Sequence, residues 1–307
     1  MIKNLLFFLL VFLFLIACNQ GSKNKTTTTT RFNSKKNNQP YNNPLFKEYS
    51  SFLSKLDTSN IENSTIAVKK FVELFKNQKQ NVCDTAFMLF DSYYGKLSNT
   101  IEDLPLRDTS IKYDSLLTDS NSKNISNLSV KLQLIARKLK ENGVMVYMSE
   151  GDVYIGQDLD FVARWFYGHV SPAMKEYLAQ LNIESKQRLT DDAALTIGPD
   201  QLAERTIWWE RFSSENPNII ISASCKNNWI GYLSILFEGM DNSPILDYGS
   251  QNINPYFKTA YSYLQKNFPD SKTNKLINPY FNSLARKDTV NAKKLISKYR
   301  REGFIQD

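Results

Sequence analysis

Residues 67–90 read AVKKFVELFKNQKQNVCDTAFMLF, and one pattern occurs twice in this stretch. Apolar side chains recur every three or four residues on both sides of a polar break at 76–81. The positions are Val68, Phe71, Val72 and Phe75 before the break, and Cys83, Ala86, Phe87 and Phe90 after it. This spacing puts each set on one face of a helix with a period of 3.6 residues. The stretch therefore predicts two amphipathic helices joined by a short turn.

Four further segments repeat the pattern, and a fold made of strands does not produce six such stripes. They are Leu128, Leu132, Ile135 and Leu139; Met174, Tyr177, Leu178 and Leu181; Phe257, Ala260, Tyr261 and Leu264; and Ala292, Leu295, Ile296 and Tyr299. Asn142 and Gly143 follow the first of these stripes and predict its carboxyl-terminal cap. The sequence predicts a mostly α fold, either a multi-helix bundle or an irregular helical array.

One stretch, at about 144–155, reads as strand. Two apolar runs, 144–148 and 153–155, flank the polar turn sequence Ser-Glu-Gly-Asp at 149–152. This arrangement predicts a small β-hairpin, which needs to pack on helices to be stable.

Proline pairs predict where several helices begin, because proline lacks an N–H and suits the first helical position. Asn-Pro pairs at 43/44, 216/217, 254/255 and 278/279 predict capped helix starts, as do Ser171-Pro172 and Gly198-Pro199. The string Ile-Asn-Pro-Tyr-Phe occurs at 253–257 and again at 277–281, which predicts two similar starts.

The 307 residues allow one large domain or two small ones, at roughly 150 residues per domain. The segment 98–127 is rich in Ser, Asn, Asp and Thr. It predicts a polar loop region between an amino-terminal helical segment, 45–97, and a main helical domain, 128–307.

The first eighteen residues carry a targeting signal. One cation, Lys3, precedes an unbroken apolar run at 5–17 that is too short to span a bilayer, which takes about 20 residues. The run ends in Leu15-Ile16-Ala17-Cys18, which resembles the lipobox of bacterial lipoproteins.

That resemblance implies that 1–17 is a signal peptide, removed during maturation, and that Cys18 becomes the acylated first residue. Two or more acyl chains hold a protein in a membrane permanently, whereas one does not. The family's inner-membrane retention signal, an Asp after the cysteine, is absent, because Asn19 stands there. The residues after it are not acidic, so the surface-export tag of some relatives is missing. The resemblance implies an outer-membrane anchor and a periplasm-facing domain.

Residues 18–44 predict a disordered tether that spans roughly 25–30 Å. Apolar residues are scarce in it, and Thr26–Thr30 is a threonine run. The first 44 residues hold six of the seven net positive charges, so 45–307 is nearly neutral and a nucleic-acid-binding face is not predicted.

Segments at 209–217 and 263–271 show a weak likeness to tetratricopeptide-type helical repeats. In the first, Trp209-Glu210-Arg211-Phe212 leads to Asn216-Pro217. The likeness covers about 70 residues and lacks that family's 34-residue period.

Few residues offer catalytic chemistry. His169 is the single histidine, the glycine-flanked serine elbow is absent, and His169 is interpreted as a loop or packing residue. With one histidine and no Cys-x-x-Cys, a standard zinc site is not predicted. Cys83 and Cys225 remain in the mature chain, and the sequence allows either a disulfide between them or two buried free thiols.

Acidic and tryptophan residues offer the remaining site hypotheses. Glu150, Asp152, Asp158 and Asp160 surround the predicted hairpin. They allow a cation site, whereas Asp158 is interpreted more simply as a helix cap. Glu150, Asp152, Glu204 and Glu210 supply carboxylates for glycan hydrolysis. Trp165, Trp208, Trp209 and Trp229 fit core packing, with sugar binding as the alternative.

These observations predict a membrane-anchored envelope lipoprotein whose helical domain is non-enzymatic and binds an envelope protein or peptide in a groove between helices. The anchor is Cys18, and no cofactor, metal or nucleic acid is expected. The alternative is a glycan-binding or cell-wall-hydrolysing protein that uses acidic residues near the hairpin. A purely structural spacer is a third reading.

Overall fold

The computed structural model describes residues 43–117 and 128–306, and the predicted signal peptide, Cys18 and nearly all of the tether lie outside this range. The described chain is mostly α-helical with small antiparallel strand pairs, which confirms the predicted fold class. It divides into two compact units. Unit 1 comprises the described residues through 146 together with 155–171, and unit 2 comprises 147–154 and the chain from 172 onward.

Unit 1 consists of six α-helices, a short 3₁₀ turn and the base of a hairpin. The helices are α1 (Pro44–Leu53), α2 (Glu62–Phe75), α3 (Gln80–Ile101), α4 (Leu104–Arg107), α5 (Val130–Glu141) and α6 (Leu159–Phe166), and the 3₁₀ turn is Tyr113–Leu116. Strands β1 (Val144–Ser149) and β2 (Asp152–Gln157) form the hairpin, whose tip belongs to unit 2.

Aromatic rings fill the core of unit 1. Phe166 of α6 lies with its ring centroid 4.6 Å from Phe71, 5.0 Å from Phe87 and 4.8 Å from Phe90. All four side chains are buried. Each buried phenylalanine contributes about 1.5–3 kcal/mol relative to an exposed one. The two stripes of the 67–90 stretch therefore face this core, as their spacing predicts.

The α5 carboxyl terminus is fixed on helices α2 and α3. The Ser64 hydroxyl donates to the Asn142 carbonyl, and Thr65 Oγ1 donates to Asn142 Oδ1 at 2.6 Å. Asn142 caps α5 and Gly143 has φ 73°, which confirms the predicted cap. The Tyr94 hydroxyl of α3 donates to the Gly143 carbonyl. Through these contacts α5, which follows the polar segment 98–127, belongs to the same unit as α2 and α3, which begin before it.

The division into units therefore differs from the boundary expected at 98–127. Helices α3 and α4 extend into that segment as far as Arg107, and 118–127 lies outside the described residues. The chain passes between units at the hairpin and after Ser171.

The predicted hairpin is confirmed, and β2 begins one residue earlier and ends two residues later than expected. Glu150 and Gly151 occupy its turn with φ 53° and φ 87°, as the two central residues of a type I′ turn do. The Tyr147 and Tyr154 rings stack across the two strands with centroids 5.7 Å apart.

Unit 2 consists of six helices of 13 to 17 residues and two further strand pairs. The helices are α7 (Pro172–Lys186), α8 (Pro199–Glu215), α9 (Ser222–Glu238), α10 (Pro255–Asn267), α11 (Lys272–Ala285) and α12 (Thr289–Arg301). The strand pairs are β3 (Thr190–Asp191) with β4 (Ala194–Leu195) and β5 (Gly239–Met240) with β6 (Ser243–Pro244).

Buried tyrosines join the helices of unit 2 through the carboxyl end of α9. The Tyr261 hydroxyl of α10 donates to the Leu236 carbonyl at 2.6 Å, and the Tyr280 hydroxyl of α11 donates to the Phe237 carbonyl at 2.8 Å. The last carbonyls of a helix have no partner within it, so these phenols satisfy acceptors that would otherwise be buried without a donor.

Two of the four Asn-Pro pairs begin helices as predicted. Asn43 caps α1 and Asn254 caps α10, each through its side-chain oxygen. The other two interpretations are wrong. Asn216 ends α8, and Pro279 lies inside α11, which begins at Lys272 behind the Ser271 cap. The repeated Ile-Asn-Pro-Tyr-Phe string therefore marks one helix start and one helix interior.

Candidate functional site

The acidic residues near the hairpin have separate structural settings. Asp158 caps α6, and its Oδ1 accepts from the Asp160 backbone N–H at 2.9 Å, which confirms the capping interpretation. Glu150 lies in the hairpin turn and Asp152 follows it, both exposed. Among residues 43–117 and 128–306, no group of three or more His, Cys, Asp or Glu side chains is arranged to hold a metal ion.

The other two carboxylates of the glycan-hydrolysis hypothesis also have structural partners. Glu210 of α8 accepts from the backbone N–H groups of Lys272 and Thr273, both at 2.7 Å, and so caps the amino terminus of α11. Glu204 accepts a hydrogen bond from the Tyr263 hydroxyl. Each is engaged in joining helices of unit 2.

His169 and the two cysteines are packing residues in the structure. The His169 ring lies edge-on to Phe71 at 5.9 Å. Cys83 and Cys225 are both buried free thiols, each within its own unit. Burial raises the pKa of Cys83, and it raises that of Cys225 to about 12, which keeps both thiols protonated.

The tryptophans divide between core and partly exposed positions. Trp209 is fully buried and Trp229 nearly so, whereas Trp165 and Trp208 are partly exposed. The Trp208 ring stacks on Phe212 with an interplanar angle of 8° and a centroid distance of 4.9 Å. One ring of the adjacent pair 208/209 thus faces inward, because neighbouring residues on a helix point about 100° apart.

A polar cluster inside unit 2 centres on the Glu184 carboxylate of α7. Glu184 Oε1 accepts from Trp209 Nε1 at 2.9 Å and Gln180 Nε2 at 2.7 Å, and its Oε2 accepts from the Tyr232 hydroxyl at 2.8 Å. Burial raises the pKa of Glu184, while these hydrogen bonds and the positive charge of Arg205 oppose the shift. The cluster joins α7, α8 and α9.

Arg205 completes this cluster from α8. Its side chain is 6% exposed, and Nη2 donates to the Gln187 carbonyl at 2.9 Å. The other terminal nitrogen, Nη1, is buried without a hydrogen bond. The residues of this cluster come from three different helices, so no pattern in the local sequence predicts that they meet.

An open surface cavity of ≈ 340 Å³ lies beside the turn that joins α11 to α12. Six of its seven lining residues carry polar side chains or charges, and none has an aromatic ring. The lining residues are Asn278, Pro279, Asn282, Ser283, Arg286, Asp288 and Asn291. The cavity lies between two helices of unit 2, which is the kind of place where the sequence predicts a binding groove.

Internal hydrogen bonds fix the side chains around this cavity and leave several polar groups without partners. Asn278 Oδ1 accepts from Gln265 Nε2 at 2.7 Å and from Asn282 Nδ2 at 3.1 Å. Asn291 Nδ2 donates to Ser283 Oγ at 2.7 Å. The amide oxygens of Asn282 and Asn291 and the exposed Arg286 guanidinium make no further hydrogen bond within the described residues.

Pro279 shapes this wall of the cavity. It has no N–H, so it cannot donate to the Lys275 carbonyl four residues earlier in α11. One turn later, the Ser283 hydroxyl donates to the Pro279 carbonyl at 2.9 Å. The sequence signal for this region is the pair Asn278-Pro279, which predicts a helix start and gives no indication of a cavity wall.

None of the helices in the described parts of the chain is long and apolar enough to cross a membrane. Comparisons with protein-family models, with curated proteins and with solved structures find no match to the chain.

Proposed function

We propose that the chain is a lipid-anchored, non-enzymatic domain of the bacterial cell envelope that binds a peptide segment of another envelope protein. Cys18 is the proposed anchor, the outer membrane the proposed location, and the periplasm the compartment that the domain faces. The α11–α12 cavity carries the binding part of this proposal, because its fixed amide groups match the donors and acceptors of a peptide backbone.

The chemistry of the lining favours a peptide over a sugar. Sugar sites commonly stack rings of the ligand on aromatic side chains, and the residues that line this cavity include none. Arg286 adds a guanidinium that suits a carboxylate, either an acidic side chain or a free carboxyl terminus. Asp288 places one carboxylate in the same lining, so its formal charges balance. The expected ligand is therefore a polar peptide segment that places a single carboxylate at Arg286.

The peptide site is tested with a photo-cross-linking residue in place of Asn282, in the full chain in its own membrane. A discrete peptide adduct is expected, and Arg286→Glu should reduce it by about tenfold or more, since a charge-assisted hydrogen bond is worth about 1.5–3 kcal/mol. Lys293→Glu on α12 makes the same charge change at an exposed residue outside the lining and should leave the adduct intact. The absence of an adduct, or equal yields in both variants, refutes the peptide site, and a saccharide adduct favours the glycan alternative.

The anchor is tested separately by Cys18→Ala. Without the thiol no acyl chain can be attached, so the chain should move from the membrane fraction to the soluble fraction. Cys83→Ala removes a buried thiol instead and should leave the chain at the membrane. Mass spectrometry of the mature wild-type chain should find an acylated residue 18 at the amino terminus. Membrane retention of the Cys18 variant, or an unmodified residue 1, would contradict the anchor.

A further inference from the structure

Helix α5 differs from the other helices that carry an apolar stripe, because little of its surface is covered. Of its twelve residues only Leu139 is buried, while Val130 is 73% exposed and Leu134 56% exposed. Its predicted stripe, Leu128, Leu132, Ile135 and Leu139, is otherwise only partly covered. The helix thus presents apolar side chains on two faces, one toward the unit 1 core and one toward solvent.

Positive charges flank the exposed apolar pair. At 100° per residue, Val130 and Leu134 point away from Leu139. Lys131 and Lys138 lie on one side of this pair, and Arg137 and Lys140 lie on the other. Arg137 and Lys140 make no ion pair with any described residue. Against these four cations, the helix carries the single acid Glu141.

Neighbouring segments add the cation Arg164 and the acids Glu62 and Asp108, the last of which interacts electrostatically with Lys131. Arg164 of α6 donates from Nη2 to the Lys140 carbonyl at 3.1 Å and is exposed. Glu62 of α2 pairs with Lys138 at 2.7 Å. The surface therefore remains positively charged, whereas residues 45–307 as a whole are nearly neutral.

We propose that the α5 surface, formed by Val130, Leu134, Lys131, Arg137 and Lys140, lies on an anionic phospholipid membrane. An exposed apolar strip flanked by Lys and Arg is the arrangement with which amphipathic helices lie in the membrane interface. Anionic headgroups complement the charge, with about 1 kcal/mol expected per Lys or Arg near the surface. Two apolar side chains give a weak contact on their own.

This inference rests on the proposed anchor for its strength. Only 25 residues, 19–43, separate the proposed anchor Cys18 from the first residue of α1, so acylation of Cys18 would keep the domain close to the bilayer. Tethering turns the second contact into an intramolecular one at a high effective concentration. A contact too weak to recruit a free protein then suffices to orient a tethered one.

The test measures hydrogen exchange in the full chain, purified with its amino-terminal anchor and reconstituted into vesicles. In vesicles that contain phosphatidylglycerol, α5 amides should exchange more slowly than in neutral phosphatidylcholine vesicles. Reversing two charges with Arg137→Glu and Lys140→Glu should reduce this protection by more than about tenfold. The matched pair Lys293→Glu and Lys294→Glu makes the same charge change on exposed positions of α12 and should change nothing.

The outcomes separate the two proposals. If the chain stays in the vesicles but α5 exchange is the same in both lipids, the α5 proposal is wrong and the anchor stands. If neutral vesicles do not retain the chain, the anchor is wrong. In that case the α5 proposal still predicts that the chain sediments with phosphatidylglycerol vesicles and that added salt weakens this binding. The Arg137/Lys140 variant should then sediment less than the Lys293/Lys294 variant. Equal sedimentation of the two variants overturns the α5 proposal.

Discussion

A Glu184→Ala chain is expected to lose about 3–5 kcal/mol of unfolding free energy. The carboxylate accepts from Trp209 Nε1, Gln180 Nε2 and the Tyr232 hydroxyl, and all three donor residues are buried. Alanine leaves these donors without an acceptor, and each buried unsatisfied polar group costs about 1–3 kcal/mol. It also removes a negative charge that interacts with the buried Arg205. Urea unfolding of the full chain in detergent, followed by tryptophan fluorescence, measures the loss.

Two matched variants identify the cause of that loss. Glu184→Gln keeps an amide oxygen as an acceptor and should remain within about 1.5 kcal/mol of wild type. Glu176→Ala lies two turns earlier on the same helix, where an exposed carboxylate pairs with Arg211 at 3.2 Å, and should cost about 0–1 kcal/mol. If the Ala and Gln variants at 184 are equally unstable, the charge rather than the acceptor is what matters, and the account given for this cluster is wrong.

The pH dependence of stability provides a second measurement on the same residue. Because burial raises the pKa of Glu184 in the folded chain, the folded state binds its proton more tightly than the unfolded state does. Stability must then fall as pH rises from the unfolded pKa through the folded one. Glu184→Gln has no proton to lose there, so its stability should vary less over this range. A wild-type curve that rises relative to the Gln curve would contradict the direction of the shift.

The helices themselves were predictable, because their apolar stripes face cores in the structure. In α10, all four residues of the predicted stripe are buried, as their spacing of three or four residues requires: Phe257, Ala260, Tyr261 and Leu264. Periodicity reports which face of a helix is apolar, and burial of that face is the largest favourable contribution to folding. The apolar pattern on α5 was equally clear, yet only Leu139 of that helix is buried. Periodicity shows where the apolar face lies, but it does not show how much of that face a neighbouring helix covers.

The beginning of α11 was not predictable from local sequence, because a residue from another helix decides it. Asn278-Pro279 is a strong local start signal. The chain nevertheless becomes helical seven residues earlier, at Lys272 instead of Pro279, where Glu210 of α8 satisfies two amide groups and Ser271 satisfies a third. Interior proline costs about 3 kcal/mol or more in an isolated helix. Tertiary capping and burial of Ile277 and Tyr280 offset that cost here.

The position of the candidate cavity was not predictable from the sequence. The sequence predicts a groove between helices, and it directs attention to carboxylates near the hairpin. The cavity instead lies at 278–291 and is lined by amide, hydroxyl, guanidinium and carboxylate groups, in a segment whose polar residues resemble an ordinary solvated helix face. The shape of the cavity depends on the angle at which the chain turns from α11 into α12, and no local sequence pattern predicts that angle.

A Gly143→Ala chain is expected to lose about 2–5 kcal/mol of unfolding free energy, the second large effect in this fold. Gly143 has φ 73°, which disfavours any side chain, and a Cβ there would lie 2.6 Å from both the Phe161 ring and the Tyr94 hydroxyl. Phe161 and Tyr94 are themselves buried, so neither has room to move. The Tyr94 hydroxyl also donates to the Gly143 carbonyl and accepts from the Asp158 amide at 3.1 Å. Methyl substitution therefore disturbs the corner that joins α3, α5 and α6.

Gly303 separates the two contributions to this loss, because it shares the backbone conformation of Gly143 without its surroundings. Its φ is 74°, and a Cβ there meets nothing within 4 Å. Gly303→Ala should therefore show only the left-handed backbone penalty, about 1–2 kcal/mol. The difference between the two variants in urea unfolding measures the steric contribution of Phe161 and Tyr94. If the two losses are equal, that contribution is zero, and the corner at Gly143 is held by backbone conformation alone rather than by close packing.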